Sequence, residues 1–146
     1  MKKPRVLLLA SCLLFAGMSS CQKDDADVTI LSPVAGSYYG EEPCNSEPYT
    51  VDIYNQSDAK NGKVFISNLY GLGDVYEATV SGNTITLPPT PYSYVAGGKT
   101  YKGNITATGT LEGSVITIKY TLDGDDPEQC TFVGDREFRG PTVQGG

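Results

Sequence analysis

The chain has 146 residues, a formal net charge of −6, 17 glycines, 9 prolines and neither histidine nor tryptophan. The missing histidine excludes Ser-His-Asp and Cys-His catalysis, His-ligated zinc and a histidine pH switch. The excess of acid argues against nucleic acid and anionic lipid headgroups as partners and leaves basic proteins, cations and neutral sugars open.

Lys2, Lys3 and Arg5 form a charged start, Val6 to Gly17 a mostly apolar run, and Met18-Ser19-Ser20-Cys21 ends it with small residues before a cysteine. That is the layout of a secretory signal peptide over residues 1–20, too short in its apolar part to span a bilayer. Its end resembles the lipobox of bacterial lipoproteins, which implies cleavage before Cys21 and acylation of that cysteine, palmitate included, as a membrane anchor. The alternative is a signal cut elsewhere, with Cys21 unmodified. Lys23, Asp24 and Asp25 resemble the short export signal of Bacteroidota surface lipoproteins, which implies the outer membrane and its cell-surface leaflet; a plain solvated tether is the other reading. Residues 21–33 carry few large apolar groups and are expected to form a flexible tether. Fully extended, residues 22–33 reach about 40 Å.

Without residues 1–20 the chain keeps eight basic and seventeen acidic residues, a net charge of −9. Residues 34–146 are enough for one domain with a short C-terminal tail and too few for two. Cys12 leaves with the signal and Cys21 is taken by the anchor. Cys44 and Cys130 remain as an even pair in an oxidising compartment and are expected to form a disulfide.

From residue 34 the hydrophobic period is two, and eight strands are predicted: 34–40, 49–55, 63–69, 75–80, 84–88, 100–111, 115–122 and 130–138. Ser81-Gly82-Asn83 is a hairpin turn. Glu112-Gly113-Ser114 is another, between two of the clearest alternating runs. No window has the helical pattern, and every connection is short enough for an antiparallel neighbour. The chain is therefore all-β, and an eight-stranded antiparallel up-and-down barrel is the simplest topology, because closure removes exposed edges. A two-sheet β-sandwich is the alternative. Gly103, Ala107 and Gly109 on one face of the longest strand suit a coiled wall or leave space inside. Tyr38, Tyr49, Tyr76, Tyr101 and Tyr120 are candidates to fill it.

Gly36-Ser37-Tyr38-Tyr39-Gly40, Val80-Ser81-Gly82-Asn83-Thr84-Ile85, and Gly109-Thr110-Leu111-Glu112-Gly113 leading to Ile116-Thr117-Ile118-Lys119-Tyr120 are the segments that carry a family likeness. They resemble small lipocalin-like (calycin-like) lipoproteins of Bacteroidota across residues 34–138. The resemblance implies a barrel and no catalytic residue, and it raises a small apolar ligand inside the barrel as one function.

No phosphate-loop motif is present, and Gly71-Leu72-Gly73 reads as a tight turn. Asp123-Gly124-Asp125-Asp126-Pro127-Glu128 has the oxygen donors calcium wants but not the spacing of a calcium loop, so a solvated acidic turn is the ordinary reading. The chain is read as non-enzymatic, with no metal and no cofactor. In a meander, alternate connections share an end. Tight turns at Ala59–Gly62, Ser81–Asn83 and Glu112–Ser114 fall at one end, with the chain termini. Residues 41–48, 70–74, 89–99 and 123–129 fall at the other. That long-loop rim carries Glu41, Glu42, Glu47, Asp74, Asp123, Asp125, Asp126 and Glu128, with Lys99 as its lone basic residue, and it holds Tyr70, Tyr92 and Tyr94. Of these, Tyr70, Tyr92, Tyr94, Glu41, Glu42, Asp74, Asp125 and Asp126 are the candidate binding site, for a glycan or a basic protein, as loops on a rigid scaffold commonly are. The alternative for Tyr92 and Tyr94 is to pack down as a barrel lid.

Overall fold

The computed structural model describes residues 32–55 and 62–138. The signal segment, Cys21, the export residues, most of the Ala59–Gly62 turn and the tail after residue 138 lie outside the described residues. The eight strands are β1 Gly36–Glu41, β2 Tyr49–Asn55, β3 Lys63–Ser67, β4 Val75–Ser81, β5 Thr84–Ala96, β6 Lys99–Glu112, β7 Val115–Gly124 and β8 Glu128–Arg136. Each pairs antiparallel with its sequence neighbour, and β8 pairs with β1, so the sheet closes as an up-and-down barrel and not a sandwich.

Alternation places the core. Val51 and Ile53 of β2, Val64 and Ile66 of β3, and Ile116 and Ile118 of β7 are buried, while the residues between them are not. Inward tyrosines add bulk: Tyr38, Tyr76 and Tyr120 are each at most 3% exposed. The small residues of β6 leave no matching gap. A Cβ on Gly109 would lie 3.3 Å from Ile118 and 3.6 Å from Ile85, and one on Gly103 would lie 3.0 Å from the Tyr92 ring. Neighbouring side chains have taken the space that glycine vacates.

The closing seam is β1 against β8, with Tyr38 opposite Arg136 and Gly40 opposite Gly134. A Cβ on Gly40 would sit 2.1 Å from the Val133 carbonyl oxygen, and one on Gly134 would sit 2.7 Å from the Phe132 ring. Cys44, just past β1, is disulfide-bonded to Cys130 of β8 across a Cα separation of 5.9 Å. The floor is closed by Val34, which is fully buried, with the Tyr38 hydroxyl donating to its carbonyl at 2.8 Å. Arg136 donates to the Tyr38 hydroxyl and to the Pro33 carbonyl, and the Ser32 N–H donates to the Asn55 side chain at 3.1 Å. Ser32 and Pro33, expected at the end of a free tether, are thus fastened to the barrel.

The main departure is β5. Its predicted end at residue 88 is wrong, because the strand runs on through Pro88, Pro89 and Pro91 to Ala96. The register with β6 slips by one residue between Leu87 and Thr90, a bulge that absorbs the two prolines. Pairing with β4 stops at Thr86, so beyond it β5 is an edge strand, where a missing N–H breaks no ladder. Residues 89–99 are therefore not a loop but one side of a ribbon. It turns at Gly97-Gly98, both with positive φ (57° and 77°), the two-residue turn that matches strand twist. Smaller shifts occur at β1, which begins after the Val34 plug, at β3, which ends at Ser67, and at β8, which ends at Arg136.

Two outcomes test this architecture. Replacing Cys44 or Cys130 with alanine should lower stability by about 2–5 kcal/mol in urea unfolding; thiol mapping of the unfolded protein that finds both sulfurs free would remove the premise. Gly103→Ala puts a Cβ 1.5 Å from the Asp123 carbonyl oxygen. It should cost about 1–3 kcal/mol and raise hydrogen exchange in the ribbon before the rest of the barrel.

Candidate functional site

The long-loop end is a tyrosine-lined mouth. Of the ten tyrosines, Tyr49, Tyr70, Tyr76, Tyr92, Tyr94, Tyr101 and Tyr120 belong to the mouth-end halves of their strands or to the β3–β4 turn. The turn is built to present Tyr70. Asn68 and Tyr70 both adopt left-handed backbone, with φ of 66° and 61°. For a bulky residue such as tyrosine that conformation costs of order 1–3 kcal/mol and persists only when its surroundings over-determine it. Here they do. The Asn68 side chain donates to Thr50 O at 2.8 Å and accepts from the Gly73 N–H at 3.1 Å. The Tyr70 N–H donates to the Tyr49 hydroxyl at 3.1 Å, and the Tyr70 hydroxyl donates to Glu128 at 2.7 Å.

Tyr70 then meets the ribbon. Its ring centroid lies 6.1 Å from Tyr94 and 6.2 Å from Tyr120, the latter edge-on. On the ribbon Tyr94 stacks on Tyr101 at 5.0 Å and beside Tyr92 at 6.0 Å, and the Lys99 ammonium sits 4.7 Å above the Tyr101 ring. These are ordinary aromatic and cation–π distances. Tyr70, Tyr94 and Tyr101 are half-exposed, whereas Tyr92 is buried, its hydroxyl donating to Asp123 O at 3.1 Å. Tyr92 thus takes the lid position, and of the three predicted tyrosines only Tyr70 and Tyr94 offer surface.

The acids divide likewise. Glu41 is exposed and lines, with Glu42, Glu47, Pro48 and Val133, a groove of about 510 Å³ beneath the β1–β2 connection. Asp74 is exposed and accepts from the Tyr76 hydroxyl at 3.4 Å. Asp125 accepts from the Lys102 N–H at 3.1 Å and Asp123 from the Asn104 N–H at 2.7 Å. Those two carboxylates are exposed, as a solvated acidic turn requires, and each also holds the base of the ribbon. Burial raises the Tyr92 and Tyr94 phenols, and the exposed Asp126 adds to both. Cys44, Glu128 and Cys130 come close enough for a metal, but both sulfurs are spent in the disulfide.

Glu42 is the exception. It is 5% exposed, the sole buried charged side chain among the described residues. Position 42 continues the inward parity of Tyr38 and Gly40, so its side chain turns into the mouth. One carboxylate oxygen accepts from the Tyr120 hydroxyl, and the Tyr49 hydroxyl is a second donor beside the carboxyl. Burial pushes the carboxyl above the usual glutamate range; the Tyr120 and Tyr49 hydroxyls pull it back, and Glu128 adds to the rise. Burial, with Glu42, also pushes the Tyr120 phenol far up, so it remains a donor.

Sequence reasoning brings Tyr70, Tyr92, Tyr94 and Glu128 to one place but misses Tyr49, Tyr101 and Tyr120 as parts of the same cluster. Gly97-Gly98 between the alternating runs was the signal for the ribbon that carries Tyr101. No family model matches the chain, nor does any curated protein or solved structure.

The raised Glu42 carboxyl has a sign that can be measured. The folded protein holds this proton more tightly than the unfolded chain does. Stability therefore falls as pH rises from the unfolded glutamate value, about 4.3, through the folded one, and stays level above it. Glu42→Gln removes that step. The urea midpoint of the variant should gain on the native protein across that window; a constant difference would count against it.

Proposed function

We propose that this chain is a lipid-anchored surface lipoprotein of the outer membrane whose barrel is a non-enzymatic binding module, using its tyrosine-lined mouth. Cys21 is the anchor, with Lys23, Asp24 and Asp25 directing export, and the likeness to small lipocalin-like lipoproteins of Bacteroidota belongs to the same reading. The observation that carries it is Tyr70. A bulky residue is kept in a disfavoured backbone conformation by four hydrogen bonds in and around its turn, and its ring borders an open aromatic cluster. Backbone strain of this kind collects at binding sites. Both described termini lie at the other end, so a tether leaves the mouth facing away from the membrane.

A carrier of a small apolar ligand within the barrel has less support, because inward side chains occupy the room above Gly103 and Gly109. The working contacts are Tyr70, Tyr94, Tyr101 and Glu128, with Glu41, Asp74 and Asp126 supplying negative field and Tyr92, Asp123 and Asp125 fixing the ribbon. A field of that sign speeds encounter with positively charged partners.

Two variants test the anchor and the mouth separately. Cys21→Ala should leave the fold intact and release the protein from membranes into the soluble fraction. Tyr94→Ala, which opens the stack without touching the seam, should abolish retention on immobilised glycans and on basic proteins while far-UV circular dichroism stays unchanged. Membrane retention of the first variant would sink the anchor, and undiminished binding by the second would sink the mouth.

A further inference from the structure

The ribbon of β5 and β6 outgrows the barrel, and its two edges are treated differently. The two-residue turn at Gly97-Gly98 makes Ala96 and Lys99 the first hydrogen-bonded pair, so Tyr94 and Tyr92 bond across to Tyr101 and Gly103. Alternation then turns the N–H and C=O groups of Ser93 and Val95 away from β6, and those of Lys102 and Asn104 away from β5. On the β6 side these groups are answered. The Lys102 N–H donates to the Asp125 carboxylate at 3.1 Å, the Asp125 N–H donates back to the Lys102 carbonyl at 3.1 Å, and the Asn104 N–H donates to Asp123 at 2.7 Å. On the β5 side β4 pairs only as far as Thr86, and no bond from the other described residues reaches the backbone of Ser93 or Val95. Both residues are exposed, Val95 at 69%.

An open strand edge invites pairing, and proteins guard such edges with prolines, bulges or charge. β5 is guarded in that way through Pro91, by three prolines and a bulge, and there the guard stops. Tyr92-Ser93-Tyr94-Val95-Ala96 has neither proline nor charge and offers about 17 Å of strand. The surroundings choose the occupant. Glu41, Glu47, Asp74, Asp123, Asp125 and Asp126 are exposed around the mouth, with Lys99 and Lys102 as the basic residues of the ribbon. A second copy pairing edge to edge would set one acidic mouth against another, whereas a basic segment is drawn toward it.

We infer that the outer edge of β5 from Tyr92 to Ala96 is a docking site for an extended, positively charged segment of another protein, which joins the ribbon as a third strand through the N–H and C=O groups of Ser93 and Val95. Main-chain hydrogen bonds hold the segment, as in other cases of strand addition, and the acids of the mouth select its charge. This rests on the mouth being the binding end and adds the form of the partner.

The test follows backbone amides of the full chain by NMR during titration with the peptide acetyl-Thr-Lys-Val-Lys-Val-Lys-Thr-amide. Hydrogen exchange at the Ser93 and Val95 N–H groups should slow saturably, while the Tyr94 N–H, already bonded to β6, is protected from the start. The same peptide N-methylated at its Lys and Val amides should not bind, and a version with Glu in place of Lys should bind about tenfold more weakly or worse. Val95→Pro takes away one outward N–H and spares the ladder to β6, as Pro91 does at the same parity. It should weaken the peptide by about tenfold, and Ser93→Pro combined with it should remove binding, with the Tyr94 and Tyr101 ring resonances reporting that the ribbon still stands. Equal binding by the N-methylated peptide, by the Glu version or by the doubly substituted protein overturns the inference. Protection of Ser93 and Val95 that grows with protein concentration in the absence of peptide gives the edge to a second copy and also overturns it. Failure of the peptide, with retention on immobilised glycans still lost in Tyr94→Ala, overturns the edge and leaves the mouth standing as a binding site. Failure of the peptide with Tyr94→Ala indistinguishable from native removes both.

Discussion

Closure of the sheet between its first and last strands governs everything else, because a barrel has two distinct ends only once it is shut. That seam requires Gly40 and Gly134 to face one another where a side chain on either would strike backbone or the Phe132 ring. Packing density leaves no slack for a compromise at such a point. Arg136 and Tyr38 hold the seam at the floor and the Cys44–Cys130 bridge holds it at the mouth. Between them β1 is pinned along its length, which sets where position 42 points and hence why a carboxyl enters the interior at all.

The mouth combines two costs that folding alone does not explain. Tyr70 occupies left-handed backbone, and Glu42 is a carboxyl buried among apolar neighbours. Glycine at 70 would relieve the first but lose the bond to Glu128, and an apolar residue at 42 would relieve the second but leave the buried Tyr120 hydroxyl without its acceptor. Both lie within the same cluster of rings, joined through Tyr120 and Tyr49. Stability held in reserve at one spot is the pattern of a surface kept ready for something outside the protein. The rest of the described wall keeps regular alternation and short turns.

Strand order was legible because alternation, Gly-bearing turns and connection lengths are local properties, and parity follows from them without any knowledge of side-chain contacts. The disulfide was legible by elimination. The prolines of β5 misled, since their effect depends on whether a neighbouring strand needs the missing N–H, and that is a fact about β4, not about β5. Glu42 could not have been told from Glu41 by composition. Its burial follows from inward parity continuing one residue beyond β1, and its partner, Tyr120, is 78 residues away. Tyr92 and Tyr94 differ for a like reason. Gly103 lies opposite Tyr92 and lets its ring sink, whereas Tyr94 faces another tyrosine.

The floor carries a mechanical consequence. Ser32 and Pro33 enter beside the last residue of β8, and β1 rises from there directly toward the mouth. When something grips the mouth and the chain ahead of Ser32 is pulled, the load runs along β1. The hydrogen bonds to β2 and β8 stand perpendicular to that line, so they bear the tension together, in shear, rather than tearing one after another. The bridge at the far end of the strand then acts as a stop. A barrel threaded this way transmits force from its grip to its tether without first coming undone at the edge.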